Sequence, residues 1–251
     1  MMLPAHSPQG NRALAALLRT EPLFGFDFDG TLAPIVDDPA SAGVPRQTVE
    51  ALSALAARAP VAVVSGRAAA DVQSRLGFEP AFIVGNHGSE GTSLGLPSGA
   101  PAAMEAFREK LELHAADLRH AGVAVEDKGG SFALHYRNAR DPALARACVN
   151  LLATSLGPGL HHFDGKSVLN IVPAGAPDKA DAMAELVRRA HCGGAFFAGD
   201  DVNDEPVFAR APEHWVTVRV GADGPPSKAR FFIDGPQAMP ALLQRILALS
   251  S

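Results

Sequence analysis

Short apolar runs that end abruptly in polar loops dominate the first part of the chain. Leu23-Phe24-Gly25-Phe26 runs into Asp27-Phe28-Asp29-Gly30-Thr31, and Pro60-Val61-Ala62-Val63-Val64 is stopped by Ser65-Gly66-Arg67. Ala81-Phe82-Ile83-Val84 is a third such run. Runs this short and this uniformly apolar predict strands buried on both faces. Between them, Thr48 to Arg58 places Val49, Leu52 and Leu55 at helical spacing, and Asp71 to Leu76 suggests another helix. Strand and helix in alternation imply right-handed crossovers and a parallel sheet covered by helices on both faces.

The pattern changes after a stretch rich in Gly, Pro and Ser from Leu94 to Pro101, which fits a linker. Ala102 to His120 predicts one long helix, Val123 to Glu126 and Ser131 to Arg137 antiparallel strands, Pro142 to Leu156 a helix, and Lys166 to Val172 a further strand. Gly175 to Pro177 marks the return. The alternating pattern then resumes with a helix at Asp178–Ala190, a strand at Ala195–Ala198 before Gly199-Asp200-Asp201, a last strand at Trp215–Val220 and a helix near Met239–Leu249. The expected organisation is one α/β domain, residues 1–97 and 174–251, interrupted by an inserted α+β domain, residues 98–173.

Composition narrows the partners. The 251 residues are 47% hydrophobic and 20% charged, which suits a well-buried core. A net charge of -5 supplies no basic field for nucleic acid, although local cations can still bind a phosphorylated small molecule. Cys148 and Cys192 are too few for a disulfide framework and suit a reducing compartment. The segment Met1 to Pro8 lacks the charged start and apolar run of a signal peptide, and no apolar stretch is long enough to span a bilayer. The expectation is a soluble, cytoplasmic protein without nucleic-acid or membrane partners. Its oligomeric state is left open, a monomer being plausible.

Ligands of open parallel sheets bind beyond the carboxyl ends of the strands. The polar clusters Asp27/Asp29, Ser65 and Asp200/Asp201/Asp204 all follow expected strands, so the fold would bring five carboxylates to one edge. Acids serving only as caps or turn formers would not all fall at strand ends. Clustered carboxylates repel unless protonated or bridged by a cation, and hard oxygen ligands favour Mg2+, which readily shares a phosphate as ligand. The two carboxylates of Asp27-Phe28-Asp29 can divide phosphoryl transfer, one attacking phosphorus and the other moving protons. Gly30 and Thr31 offer backbone N–H groups to phosphate oxygens in the tight turn.

Four motifs in order give this chain a resemblance, over its full length, to the haloacid-dehalogenase (HAD) superfamily of phosphatases. They are Asp27-Phe28-Asp29-Gly30-Thr31-Leu32, Val63-Val64-Ser65-Gly66-Arg67, Lys179 after Pro177-Asp178, and Gly199-Asp200-Asp201-Val202-Asn203-Asp204-Glu205. The resemblance implies a Rossmann-like parallel-sheet core with an inserted α+β cap of type IIB. Within the superfamily the chain is most similar to the trehalose-6-phosphate phosphatases. Thr31-Leu32-Ala33-Pro34-Ile35, Gly85-Asn86-His87-Gly88-Ser89-Glu90, Val125-Glu126-Asp127-Lys128, His135-Tyr136-Arg137 and Gly165-Lys166-Ser167-Val168-Leu169 carry that likeness. It departs at Asn170, where that family commonly has Glu, and at Asn203, where Thr is usual.

The resemblance also implies roles. Asp27 would be the nucleophile and Asp29 the general acid and then base. Mg2+ would be held by Asp27, Asp200 and the backbone carbonyl of Asp29, with Asp201 and Asp204 supporting the metal or its waters. Ser65 and Lys179 would hold the phosphoryl oxygens. Gly30, Thr31, Gly66, Arg67, Asn86, His87, Glu126, Lys128, His135, Arg137 and Asn170 are the candidate substrate contacts.

Part of this follows without the family. Period-two alternation over Ser131–Arg137 puts Phe132, Leu134 and Tyr136 on one face and Ala133, His135 and Arg137 on the other. The polar face either lines a cleft with Glu126 and Lys128 or is simply solvated. His87 sits in a Gly-flanked loop, to touch substrate or to brace a hinge. His161-His162 could bind metal but has no second ligand pair and reads as a polar turn, while Arg188-Arg189, late in a helix where cations complement the dipole, reads as a solvated face. The expected activity is Mg2+-dependent hydrolysis of trehalose 6-phosphate through an aspartyl phosphate. The rivals are a phosphatase for another sugar phosphate, such as mannosyl-3-phosphoglycerate or sucrose phosphate, and a non-catalytic sugar-phosphate sensor. Intact Asp27, Asp29, Lys179 and Asp200 argue against the sensor, which could lose them.

Overall fold

The structure, a computed structural model, describes residues 2–36, 41–223 and 225–250. In chain order the elements are β1 (Leu3–Pro4), α1 (Pro8–Leu18), β2 (Leu23–Phe26), α2 (Arg46–Ala56), β3 (Val61–Val64), α3 (Ala69–Gln73) and β4 (Phe82–Val84). Then come α4 (Ala100–Leu113), α5 (Ala115–His120), β5 (Ala124–Asp127), β6 (Phe132–His135), α6 (Pro142–Thr154), β7 (Leu160–Gly165) and β8 (Val168–Pro173). The chain closes with α7 (Lys179–Arg189), β9 (Ala195–Gly199), α8 (Glu205–Arg210), β10 (Val216–Val220), β11 (Phe231–Ile233) and α9 (Met239–Leu249). They divide into two compact units, one of residues up to Leu94 and from Pro177 on, the other Gly95–Ala176. No helix of the described residues is long and apolar enough to cross a membrane.

The larger unit is an α/β fold on a seven-stranded sheet in the order β1-β11-β10-β9-β2-β3-β4, parallel throughout. Successive side chains of its central strands go to opposite faces. Phe24, Phe26, Val61, Val63, Phe196 and Ala198 pack with Leu14 and Leu17 of α1, Leu52 of α2 and Leu243 and Ile246 of α9. Leu23, Ala62, Val64, Ala195 and Phe197 pack with Met183 and Leu186 of α7 and Phe208 of α8. Both faces of β2, β3 and β9 are therefore buried, and because the three strands are parallel their C-terminal loops emerge at one edge.

The smaller unit has a four-stranded antiparallel sheet, β5-β6-β8-β7. One face, with Phe132, Leu134, Leu169 and Ile171, packs on α4, α5 and α6 through Phe107, Leu118 and Val149, among others. On the other face the register aligns Glu126, Ala133, Asn170 and Phe163 in one row across all four strands.

Several expectations are corrected. The helix expected over Ala102–His120 is two, because His114 leaves helical geometry at φ -97°, ψ 7°. His161 and His162 lie in a strand, β7, not in a turn. Sequence reading passed over β1, α1 and β11, and Trp215–Val220 is not the last strand.

Candidate active site

Asp27 follows β2 directly, and its N–H donates to Ala198 O of the neighbouring β9 at 2.9 Å. Asp200 follows β9, and Asp204 ends the 3-10 turn Val202–Asp204. The paired strands thus bring residues far apart in sequence to one buried cluster, in which Asp27, Asp200 and Asp204 can each offer a carboxylate oxygen within 4.8 Å of the others. Lys179, the first residue of α7, is wholly buried among them. Its Nζ donates to Asp27 Oδ1 and to Asp204 Oδ1, both at 2.7 Å. Asp178 fixes that helix start, its carboxylate accepting the N–H groups of Ala180 and Asp181.

Asp204 is the framework of the cluster. Besides Lys179, it accepts the N–H groups of Asp200 at 2.9 Å and Asp201 at 3.0 Å through Oδ2. Asp201 lies outside the three-carboxylate cluster. Gly30 is required beside it: its φ is +82°, and a Cβ there would lie 2.1 Å from Asp200 Oδ2. Burial alone would push the Lys179 ammonium toward neutrality, but the charges of Asp204 and Asp27 outweigh it and hold its pKa above the ordinary lysine value. Burial likewise pushes Asp27 well above the usual carboxylate range. Lys179 opposes that push, while Asp204 and Asp200 add to it. Three buried carboxylates facing one ammonium leave uncompensated negative charge, and their hard oxygen donors fit a divalent cation.

Gly30 and Thr31 differ from expectation. Their N–H groups donate within the loop, to Ala33 O at 2.8 Å and Phe28 O at 3.3 Å. Among the described residues, the N–H groups of Phe28 and Asp29 carry no hydrogen bond instead. Thr31 Oγ1 is buried without a partner.

The loop after β3 presents Ser65, whose Oγ accepts the N–H of Arg67 at 3.1 Å and so keeps its own proton to donate. Arg67 does not extend into open space. Its guanidinium grips Asp29 in a two-point pair at 2.6 and 2.7 Å, reaches Asp71 at 2.9 Å and stacks over the Phe28 ring at 5.4 Å. Asp71 in turn accepts from Arg75 at 2.9 and 2.7 Å. Burial works against the Asp71 carboxylate, but the hydrogen bonds from Arg75 and Arg67 hold its pKa below the ordinary value.

After β4, Asn86 and His87 adopt left-handed backbone, φ 49° and 59°, which is uncommon outside glycine. Three contacts impose it. Glu90 accepts from both Asn86 Nδ2 and Ala69 N at 3.0 Å, and the His87 N–H donates to Ser65 O at 2.9 Å. Gly66 is the floor under His87: a Cβ there would lie 2.3 Å from the imidazole. His87 Nδ1 lies 3.4 Å from Asn203 Nδ2, which ties this loop to the one after β9. In the smaller unit, His135 Nε2 is 2.8 Å from Glu126 Oε2, and Lys128 Nζ is 3.9 Å from the same oxygen. Arg137 donates to Lys166 O at 3.0 Å, while Asn170 is buried.

Sequence reasoning missed Glu90, Asp71, Arg75 and the pair between Arg219 and Glu205, which anchors the start of α8 at 3.1 Å. The four-residue spacing of Arg67, Asp71 and Arg75 was the available signal.

The chain is 33% identical over 243 residues to the trehalose-phosphate phosphatase of Mycobacterium tuberculosis (strain ATCC 25618 / H37Rv), covering 92% of this chain and 62% of that protein. It is also 33% identical to the Mycobacterium leprae protein of the same description, over 92% and 58%. The chain thus spans less than two thirds of the length of these curated relatives. Among solved structures, the C-terminal domain of C. albicans trehalose-6-phosphate phosphatase shares the fold with a TM-score of 0.80 at 22% identity, covering 100% of this chain and 98% of that one. Aspergillus fumigatus trehalose-6-phosphate phosphatase superposes with a TM-score of 0.62 at 26% identity, over 99% and 98%. The family model described as trehalose-phosphatase matches residues 25–237, which hold every core residue of the site, and the chain belongs to that family.

Proposed function

We propose that the protein hydrolyses trehalose 6-phosphate to trehalose and phosphate, with Mg2+ as cofactor and Asp27 as nucleophile. One observation carries the reading: the buried cluster of Asp27, Lys179, Asp200 and Asp204, with Asp29 two residues beyond the nucleophile, in a chain of the trehalose-phosphatase family. An Asp27 oxygen attacks phosphorus, the bond from phosphorus to the sugar oxygen breaks, and Asp29 gives its proton to that oxygen. Water then attacks the phosphorus of the aspartyl phosphate and gives a proton to Asp29. The bond from phosphorus to Asp27 breaks, and phosphate leaves. Lys179, the Ser65 hydroxyl and the N–H groups of Phe28 and Asp29 are the donors for the phosphoryl oxygens. Mg2+, held by Asp27, Asp200 and the carbonyl of Asp29, would supply charge neutralisation at the transferring group.

Glu126, Lys128, His135, Arg137 and Asn170 of the inserted domain are the proposed sugar contacts, since nothing in the core cluster distinguishes one phosphate ester from another. Both cysteines are free, which suits a reducing compartment, and the cytoplasm is the proposed place of action. The test is phosphate release from a panel of sugar phosphates. Trehalose 6-phosphate should exceed sucrose phosphate and mannosyl-3-phosphoglycerate at least tenfold in kcat/KM. Faster turnover of another member would move the substrate, and release from none would refute the enzyme.

A further inference from the structure

Arg67 stands where a substrate contact was expected, yet its whole guanidinium is engaged by the protein. Two nitrogens meet the two oxygens of Asp29, the third meets Asp71, and the planar group lies over Phe28. Its side chain is 14% exposed, against 41% for Asp29. A fork-to-fork pair fixes direction as well as distance, because both oxygens of the carboxylate are specified at once. The support continues outward. Asp71 is held on its far side by two nitrogens of Arg75, and Arg75 Nη1 donates to Ala42 O at 3.3 Å. Asp29, by contrast, follows the strand end on a loop and has no other side-chain partner among the described contacts.

We propose that Arg67 is a positioning residue that sets the orientation of Asp29, with Asp71 and Arg75 as its outer supports, and that it is not a contact of the substrate. The inference rests on the phosphatase reading for its kinetic consequence but not for its geometry. A carboxylate that must meet the departing oxygen and then a water has to be held to within a fraction of an ångström, and misplacement on the order of 1 Å costs about 10²-fold. A residue acting only through Asp29 changes the chemical steps and leaves affinity for the phosphoryl group alone.

The experiment compares Arg67→Met, Arg67→Lys and Asp71→Asn, each checked for folding by circular dichroism. Turnover is read on trehalose 6-phosphate and p-nitrophenyl phosphate, and inhibition by inorganic phosphate is measured alongside. Arg67→Met should lower kcat about 10²-fold, with the phosphate inhibition constant within twofold of wild type. Arg67→Lys should recover part of the loss, having the charge without the fork. Asp71→Asn should cost less, and nothing further in the Arg67→Met background. A tenfold or greater rise in the phosphate inhibition constant would make Arg67 a substrate contact, and unchanged kcat in a folded Arg67→Met protein would remove it from the reaction. A crystal structure of Arg67→Met reads the geometry without turnover: Asp29 turned or disordered supports the proposal, and Asp29 unmoved overturns it. If wild type hydrolyses p-nitrophenyl phosphate but not trehalose 6-phosphate, the substrate assignment fails while the Arg67 comparison stands on the aryl ester. If wild type hydrolyses neither, the kinetic consequence falls with the phosphatase reading, and the crystal structure decides the positioning.

Discussion

Replacing Lys179 by Met tests the electrostatics of the cluster. The new side chain is of similar length and apolar, so the change removes the charge and two hydrogen bonds at 2.7 Å with little change of volume. Asp27 and Asp204 then face each other, and Asp200, without a cation. Breaking a buried pair by removing one partner typically costs about 3–5 kcal/mol, a large part of the ~5–15 kcal/mol that holds a domain folded. With a urea m-value of about 2 kcal/mol/M, the midpoint should fall by roughly 1.5–2.5 M. The only tryptophan, Trp215, is buried in the apolar cluster that includes α7, so its fluorescence reports unfolding of the same unit. The melts belong in chelator, so that no metal substitutes for the lysine. Asp27 already has a raised folded pKa, so the stability tied to its protonation is present at acid pH and lost as pH rises through that value. Without Lys179 its pKa rises further, so the deficit should be larger at pH 8 than at pH 5. Should the single variant fail to fold, Lys179→Met with Asp204→Asn removes the charge and one of the carboxylates together. That double variant should be less destabilised than the sum of the singles by about 1–3 kcal/mol. A midpoint within 0.5 M of wild type, a deficit indifferent to pH, or strict additivity would refute the argument.

Asp27→Asn should abolish phosphate release while leaving a protein at least as stable as wild type at pH 7, since it deletes a charge that the buried site disfavours; near-normal turnover would exclude the covalent route. Chelation should remove activity and Mg2+ restore it, with Ca2+ a poor substitute because of its larger and looser coordination; full activity in chelator would disprove the metal assignment. Glu126→Ala and Arg137→Ala should cut turnover of trehalose 6-phosphate by about 10²-fold, equivalent to roughly 3 kcal/mol, and that of p-nitrophenyl phosphate far less. Equal losses on both substrates would place these residues in the chemistry or the fold.

The strands that carry the site were legible because β2, β3 and β9 are buried on both faces, so each is a bare apolar run with a sharp polar end. The elements that escaped lack such a signature for physical reasons. β1 and β11 are two and three residues long, too short to show a period. β7 is an edge strand with His161, His162 and Asp164 exposed, held by its backbone ladder to β8 and not by an apolar face. The break at His114 involves neither Gly nor Pro, so nothing in the local sequence announces it.

The site divides along a similar line, between what is local in sequence and what is not. Asp27 and Asp29, or Asp200 and Asp204, are close neighbours along the chain, and their spacing alone suggests shared chemistry. The contacts that give those carboxylates their properties span the chain: Lys179 is 152 residues from Asp27, and Arg67 is 38 from Asp29. A motif can therefore name the groups that react without saying what holds them. Arg67 reads in sequence as a ligand for the substrate, and the fold pairs its guanidinium with Asp29 and Asp71. The guanidinium had the right chemistry for either partner, a phosphate or a carboxylate. The register of β2 against β3 sets the loops of Asp29 and Arg67 side by side, which no local motif announces. The outer members of the network were within reach of sequence reasoning, since Arg67, Asp71 and Arg75 recur every four residues with alternating charge. Such a ladder beside the loop of Asp29 is better read as a brace for that loop than as a solvated helix face.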